Sequence, residues 1–493
     1  MEETEKAPKE INVIQIASLK GKIFPKDKQG VKTGGLSLIS QKIKDIKQQS
    51  NISDLVLIGN SNFIHGTPEV YFTEGDAVIE LMNTLDFSLL VIGHRELYFG
   101  KNVLINLSKK AKFPFVSANV VESDGSIPNF IKPYVVFPEM DLAIIGITTH
   151  MFADTNIAED LQGLKLLPMD VALKKYVKEL KEKNIKNIVL AGDLIFGGSK
   201  EVERNKNLFK VLDIEGIKSY FVRTREVKNT DVGVIDYKRE GKEDKEILVC
   251  EGSGTMIGHY TASKGTAGYK LYRINSNTSK PDHTLTDTFV TLKKVINDTA
   301  GGIIGTSEVN IPHEFQKESA LGNFVTDISR LHIKADICLL NSGNQRNGFK
   351  KGPVSRLDIY NILPWGGTLV ETEVTGAQLV KLLEASCSFR LEKSFVNVSG
   401  MIFKYDSSRE KGNRVIQESI KINGEDLDPG RIYSLGTGRY IFDGGDRYSE
   451  FKELKLPLKK ISPMSIRELV VEYILKHKTI SSKVENRIID VNK

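Results

Sequence analysis

INVIQIA at residues 11–17 decides the fold of the first half of this chain, together with the runs that repeat its character: DLVLIG at 54–59, FSLLVIG at 87–93, PFVSANV at 114–120, LAIIGIT at 142–148, NIVLAG at 187–192 and ILVCEG at 247–252. Each is short, rich in β-branched residues and apolar on both faces, as a strand covered on both sides must be. Between them lie stretches with helical spacing. VALKKYVKELKEK at 171–183 repeats apolar residues every three or four positions and keeps its lysines on the other face. Strands alternating with crossover helices make this half α/β.

Around residues 276–289 the text changes to SNTSKPDHTLTDTF, and a helical stretch follows that ends at Gly301 and Gly302. Polar, Pro-containing text leading into a helix marks a domain boundary. A second mixed region runs to the C-terminus, from an ESALGNFVTDISRL helix at 318–331 to the amphipathic SIRELVVEYILKH at 465–477. A length of 493 residues accommodates two such domains, each with its own core.

Charge excludes one class of function. The 69 basic residues are spread against 63 acidic ones, without the arginine–aromatic clustering of a nucleic-acid groove, so no nucleic-acid partner is expected. Cys250, Cys338 and Cys387 stand in unrelated contexts without CxxC spacing, which argues for buried thiols rather than a zinc ribbon or disulfide scaffold. No run approaches the apolar length of a membrane span. The opening MEETEKAPKE, residues 1–10, reads as a flexible tether left after removal of a leader. The expectation is an exported periplasmic or cell-envelope protein, with a lipid anchor as an open alternative.

Several phrases resemble, in order and spacing, the 5'-nucleotidase family. In the second half these are KESALGN (317–323), NSGNQR (341–346), LPWGGTLV (363–370), FVNVSG (395–400) and GGDRYSEF (444–451). In the first half they are GGLSLIS (34–40), HGTPEV (65–70), the run from Glu74 to Gly93, PFVSANV and AIIGITT (143–149). The resemblance implies a four-layer αββα metallophosphoesterase-like domain over 11–277, a linker helix over 278–300 and an α+β 5'-nucleotidase C-terminal domain over 301–493. It also implies two divalent metals in the first domain and a nucleoside pocket in the second.

The residues that would hold those metals are replaced. Two cations that polarise a phosphate and acidify a water need carboxylates and imidazoles around them. The family's Asp-x-His after the first strand is Ser18, Leu19 and Lys20 here, and the bridging aspartate of its GD is Asn60. Its GNHE is GHRE, with His94 at the asparagine and Arg95 at the histidine, and a guanidinium gives up no proton at neutral pH. The histidine after the IVL strand falls at Gly192, and the closing GHxH falls in SYFVRTRE, which has Arg223 and Arg225 but no histidine. None of the eight histidines forms an HxH, HxxH or HExxH unit. No metal, cofactor or catalytic residue is therefore expected. Two readings stand for the cations gained at Lys20, Arg95 and Arg223 or Arg225: an anion site, or pairs with Asp193 and Glu96 that fill a closed cavity.

The second domain keeps more. The family's two base-stacking aromatics correspond to Phe395 and Tyr448, and the polar partners to Asn341, Arg346 and Lys317, the last standing where the family has arginine. Asn344 and Gln345 make the pocket floor bulkier and more polar. The expected function is a catalytically impaired homologue that binds a nucleoside or nucleotide. The alternatives are a scaffold or partner-binding envelope protein, with the partner unknown, and a residual metal-dependent phosphatase.

Overall fold

The computed structural model describes residues 10–149, 163–195, 210–224, 234–237, 244–263, 266–389, 391 and 394–492. The tether at residues 1–9 and Arg225 lie outside the described residues. The chain forms two compact units that divide between Lys294 and Val295, within the helix Thr286–Ala300.

The first unit is built on two six-stranded sheets. One has the spatial order Thr266–Arg273, Met256–Ser263, Ile11–Ala17, Val56–Asn60, Leu89–Val91, Phe115–Val116, and its last four strands are parallel. The other runs Val234–Tyr237, Lys245–Glu251, Ser219–Thr224, Asn187–Ile195, Leu142–Ile147, Tyr134–Phe137, with a parallel centre and antiparallel edges. All seven runs predicted as strands contain one.

Side-chain alternation makes the layers. Ile11, Val13, Val56, Ile58, Leu89 and Val91 of the first sheet share a core with Ile144, Val189, Ala191 and Leu248 of the second. Ala143, Ile145, Ile188 and Leu190 point the other way and pack on Leu173, Val177 and Leu180 of the helix Met169–Glu182. On the outer face of the first sheet, Met82 of the helix Asp76–Thr84 reaches over Gly59. Burying each such Leu, Ile or Val is worth roughly 1.5–3 kcal/mol. The result is the expected helix–sheet–sheet–helix stack.

The second unit centres on a mixed sheet in the order Val396–Ser399, Ile337–Asn341, Ile432–Gly438, Thr368–Thr375, Leu458–Ser465. Helices Ala320–Ile333 and Ile466–His477 contribute to one core of this unit, while Gly376–Ser388 and the hairpin of Met401–Tyr405 with Val415–Ile422 contribute to another. Capping boxes at Thr375 with Gln378 and at Ser465 with Glu468 fix where two of these helices begin. Cys250, Cys338 and Cys387 are buried free thiols. Among the described residues no helix is long and apolar enough to cross a membrane.

Candidate functional site

The strands Ile11–Ala17 and Val56–Asn60 run parallel with Ala17 opposite Asn60, so both open into the same region at their carboxyl ends, where α/β sheets carry their ligands. The two loops leave side by side. Ser18 N–H donates to the Asn60 carbonyl at 3.1 Å and Lys20 N–H to the Asn62 carbonyl at 2.7 Å. Ser18, Lys20, Ser61 and Asn62 all have positive φ, between 48° and 59°. Four left-handed non-glycine residues at adjacent strand ends concentrate backbone strain there.

Asn60 sits on the face of its strand that meets the second sheet. Its Nδ2 donates to Gln15 Oε1 and to the Phe221 carbonyl, both at 3.2 Å. Gln15 Nε2 in turn donates to the Leu248 carbonyl at 3.3 Å and to the Tyr269 hydroxyl. The position of the family's bridging carboxylate is thus wired as a hydrogen-bond donor between two sheets. Asn60 Oδ1, Ser18 Oγ, Ser61 Oγ and Asn62 Nδ2 are buried and have no hydrogen-bond partner among the described residues.

His94 and Asp193 are both buried, and His94 Nδ1 donates to Asp193 Oδ2 at 2.6 Å. Asp193 rather than Gly192 is the residue of that strand that meets His94. A Cβ on Gly192 would lie 2.6 Å from the Ile147 carbonyl oxygen and 2.4 Å from its Cγ2. A side chain at Gly192, where the resemblance places a lost histidine, would collide with the neighbouring parallel strand.

Glu96, the one carboxylate kept from the family's motif, accepts main-chain N–H groups from Asn62, Phe63, Ile64 and Gly93. Burial pushes its carboxyl up, and these four bonds oppose the shift. Its work is to hold two loops. Arg95 Nη1 donates to His65 Nδ1 at 3.0 Å, and the His65 ring lies tilted by 34° against Tyr98 with centroids 3.8 Å apart. Of the two carboxylates in the closed-cavity reading, Asp193 accepts from His94 and Glu96 accepts from the main chain. Arg223 lies in the strand Ser219–Thr224.

These residues fit a two-metal centre poorly on charge: Ser18 and Asn60 are neutral, Glu96 is engaged by four main-chain N–H groups, and Asp193 accepts from His94 Nδ1. Among the described residues no three His, Cys, Asp or Glu side chains gather to hold a metal.

In the second unit Asn341 Nδ2 donates to Asp446 Oδ2 at 2.5 Å. Arg346 lies 5.9 Å over the Phe315 ring and donates to the carbonyls of Gly343 and Gln345. Gln345 is buried with neither side-chain amide atom paired. Burial, reinforced by the Arg346 charge, pushes His313 down to about 4. Lys317 is exposed, 3.7 Å from Glu314.

Phe395 and Tyr448 depart from expectation. They are 0% and 1% exposed and belong to the hydrophobic core, and the Tyr448 hydroxyl donates to the Ser394 carbonyl at 2.6 Å. Neither offers an open face to a base, because Phe395 leads into the strand Val396–Ser399 and Tyr448 is anchored back onto the residue before it. Sequence reasoning missed Asp446, His313 and Phe315. Asp446 stood in the quoted GGD phrase, where its φ of 48° marks an aspartate held in a turn.

Residues 299–453 match the family model described as 5'-nucleotidase, C-terminal domain. The 5'-nucleotidase of Homo sapiens is 24% identical, over 92% of this chain and 85% of that protein. Endonuclease YhcR of Bacillus subtilis is 22% identical over 88% of this chain, which spans 37% of that protein's length. A putative 5'-nucleotidase from Staphylococcus aureus, solved in complex with alpha-ketoglutarate, shares the fold with a TM-score of 0.75 and 18% identity, over 98% of this chain and 100% of that one. The chain is similar to 5'-nucleotidases over most of its length, and residues 299–453 match their C-terminal domain.

Two outcomes follow from the geometry. Asn60→Asp, which restores the family's residue, places a carboxylate against two acceptor oxygens and should lower stability by about 1–3 kcal/mol in urea titration, with no Mn²⁺ affinity gained. Wild-type stability in that variant would contradict the wiring. His313 has a depressed folded-state pKa, so the unfolded chain protonates first. Its contribution is complete above its ordinary 6.5 and is lost as pH falls from there toward about 4. His313→Gln should therefore show a shallower decline of the urea midpoint over that window than the wild type.

Proposed function

We propose that this relative of the 5'-nucleotidases does not hydrolyse nucleotides and acts by binding. The observation that carries the reading is the buried His94–Asp193 pair beside an Asn60 amide already committed to two acceptors, at the strand ends where the family's metals would sit. Phosphate-ester cleavage has one of the largest uncatalysed barriers, and metal-bound water is the family's means of lowering it. A site of neutral and self-paired groups supplies neither the Lewis acid nor the nucleophile.

The ligand proposed is a nucleoside or nucleotide held by the second unit. Asn341 and Asp446 form a paired polar edge, Arg346 brings a guanidinium backed by Phe315, and the unpaired amide of Gln345 offers a donor and an acceptor. With Phe395 and Tyr448 sealed, recognition rests on these polar groups. A second reading, a scaffold with no nucleotide ligand, is favoured by that same burial of the aromatic pair. Residence in the cell envelope is part of the proposal.

The test combines phosphate release with ligand-induced stabilisation. Incubation with AMP and Mn²⁺ should release no phosphate above the buffer rate. Adenosine, AMP, ATP or guanosine should raise the melting temperature without metal, since a ligand that binds only the folded state stabilises it by mass action. Arg346→Ala should abolish the AMP shift. Metal-dependent phosphate release would overturn the non-hydrolytic reading, and no shift with any of the four would favour the scaffold.

A further inference from the structure

A groove of about 660 Å³ lies in the second unit, along the helix Gly376–Ser388. Its walls come from different elements. The helix brings Val380 and Lys381, Phe389 follows its end, the hairpin loop brings Lys411, and the short helix Ser449–Glu453 brings Glu450.

Two carboxylates line the groove and they are not equivalent. Glu384 accepts the main-chain N–H groups of Arg414 and Val415 at 2.9 and 2.8 Å, so both of its oxygens are satisfied and it fixes the neck of the hairpin. Glu450 also lines the groove, and its Oε2, sheltered from solvent, has no hydrogen-bond partner among the described residues. A buried carboxylate oxygen left unpaired is expensive, and a cationic N–H donor satisfies it best. Lys381 and Lys411 line the same groove without pairing with Glu450. Lys411 Nζ stands 5.4 Å over the Phe389 ring, so positive charge and an aromatic face are presented together.

We infer that this groove is a site for a small zwitterion, an α-amino acid with an apolar side chain. Its ammonium donates to Glu450, its carboxylate meets Lys381 and Lys411, and its side chain lies against Val380 and Phe389. The volume is that of a small-molecule site. The inference is independent of the nucleoside reading, which concerns other residues.

Isothermal titration of the full chain with three probes tests it: L-phenylalanine, 3-phenylpropionate, which lacks the ammonium, and phenethylamine, which lacks the carboxylate. L-Phenylalanine should bind, and each truncated probe should bind at least about tenfold more weakly, the usual effect of losing one charge-assisted hydrogen bond. Glu450→Gln should weaken L-phenylalanine by a similar factor and leave 3-phenylpropionate unchanged. Lys411→Met, at an exposed position, should weaken L-phenylalanine and 3-phenylpropionate but not phenethylamine. No heat from L-phenylalanine, or equal affinity in both variants and the wild type, would overturn the assignment.

Discussion

The Asn60 side chain is the constraint on which the first unit's site depends. Its amide reaches from the end of one sheet to Gln15 Oε1 and to the Phe221 carbonyl of the other. A carboxylate in that place would present acceptors to acceptors, so the sheet junction selects an amide over an aspartate. Around it the remaining groups follow suit. His94 turns a ring nitrogen to Asp193, and Glu96 gathers four main-chain N–H groups from two loops. Asn60, His94 and Glu96 thus each have partners within the protein.

Much of the fold could be read from the chain. The seven β-branched runs are strands because parallel strands covered on both faces cannot be polar on either. The helix expected at 171–183 is Met169–Glu182, its buried residues following the apolar period. The strands Met256–Ser263 and Thr266–Arg273 were not legible: the second is mostly exposed and carries polar residues on both faces, so neither apolar run nor alternation announces it.

The site was legible as a list of replacements but not as a set of partners. His94 and Asp193 are 99 positions apart, and only the meeting of the two sheets brings them to 2.6 Å. At Gly192 a Cβ would meet Ile147, while the next residue, Asp193, reaches His94. Phe395 and Tyr448 show the opposite limit. An aromatic that stacks a base and one that fills a core are the same residue in a sequence, and only burial separates them.

The central claim is that the strand ends of the first unit no longer hold metals. Electron paramagnetic resonance of Mn²⁺ counts free aquo ions directly as the full chain is added. The account predicts that the six-line signal keeps the intensity of the protein-free solution. Loss of signal that saturates at one or two ions per chain and is restored by a chelator would contradict it.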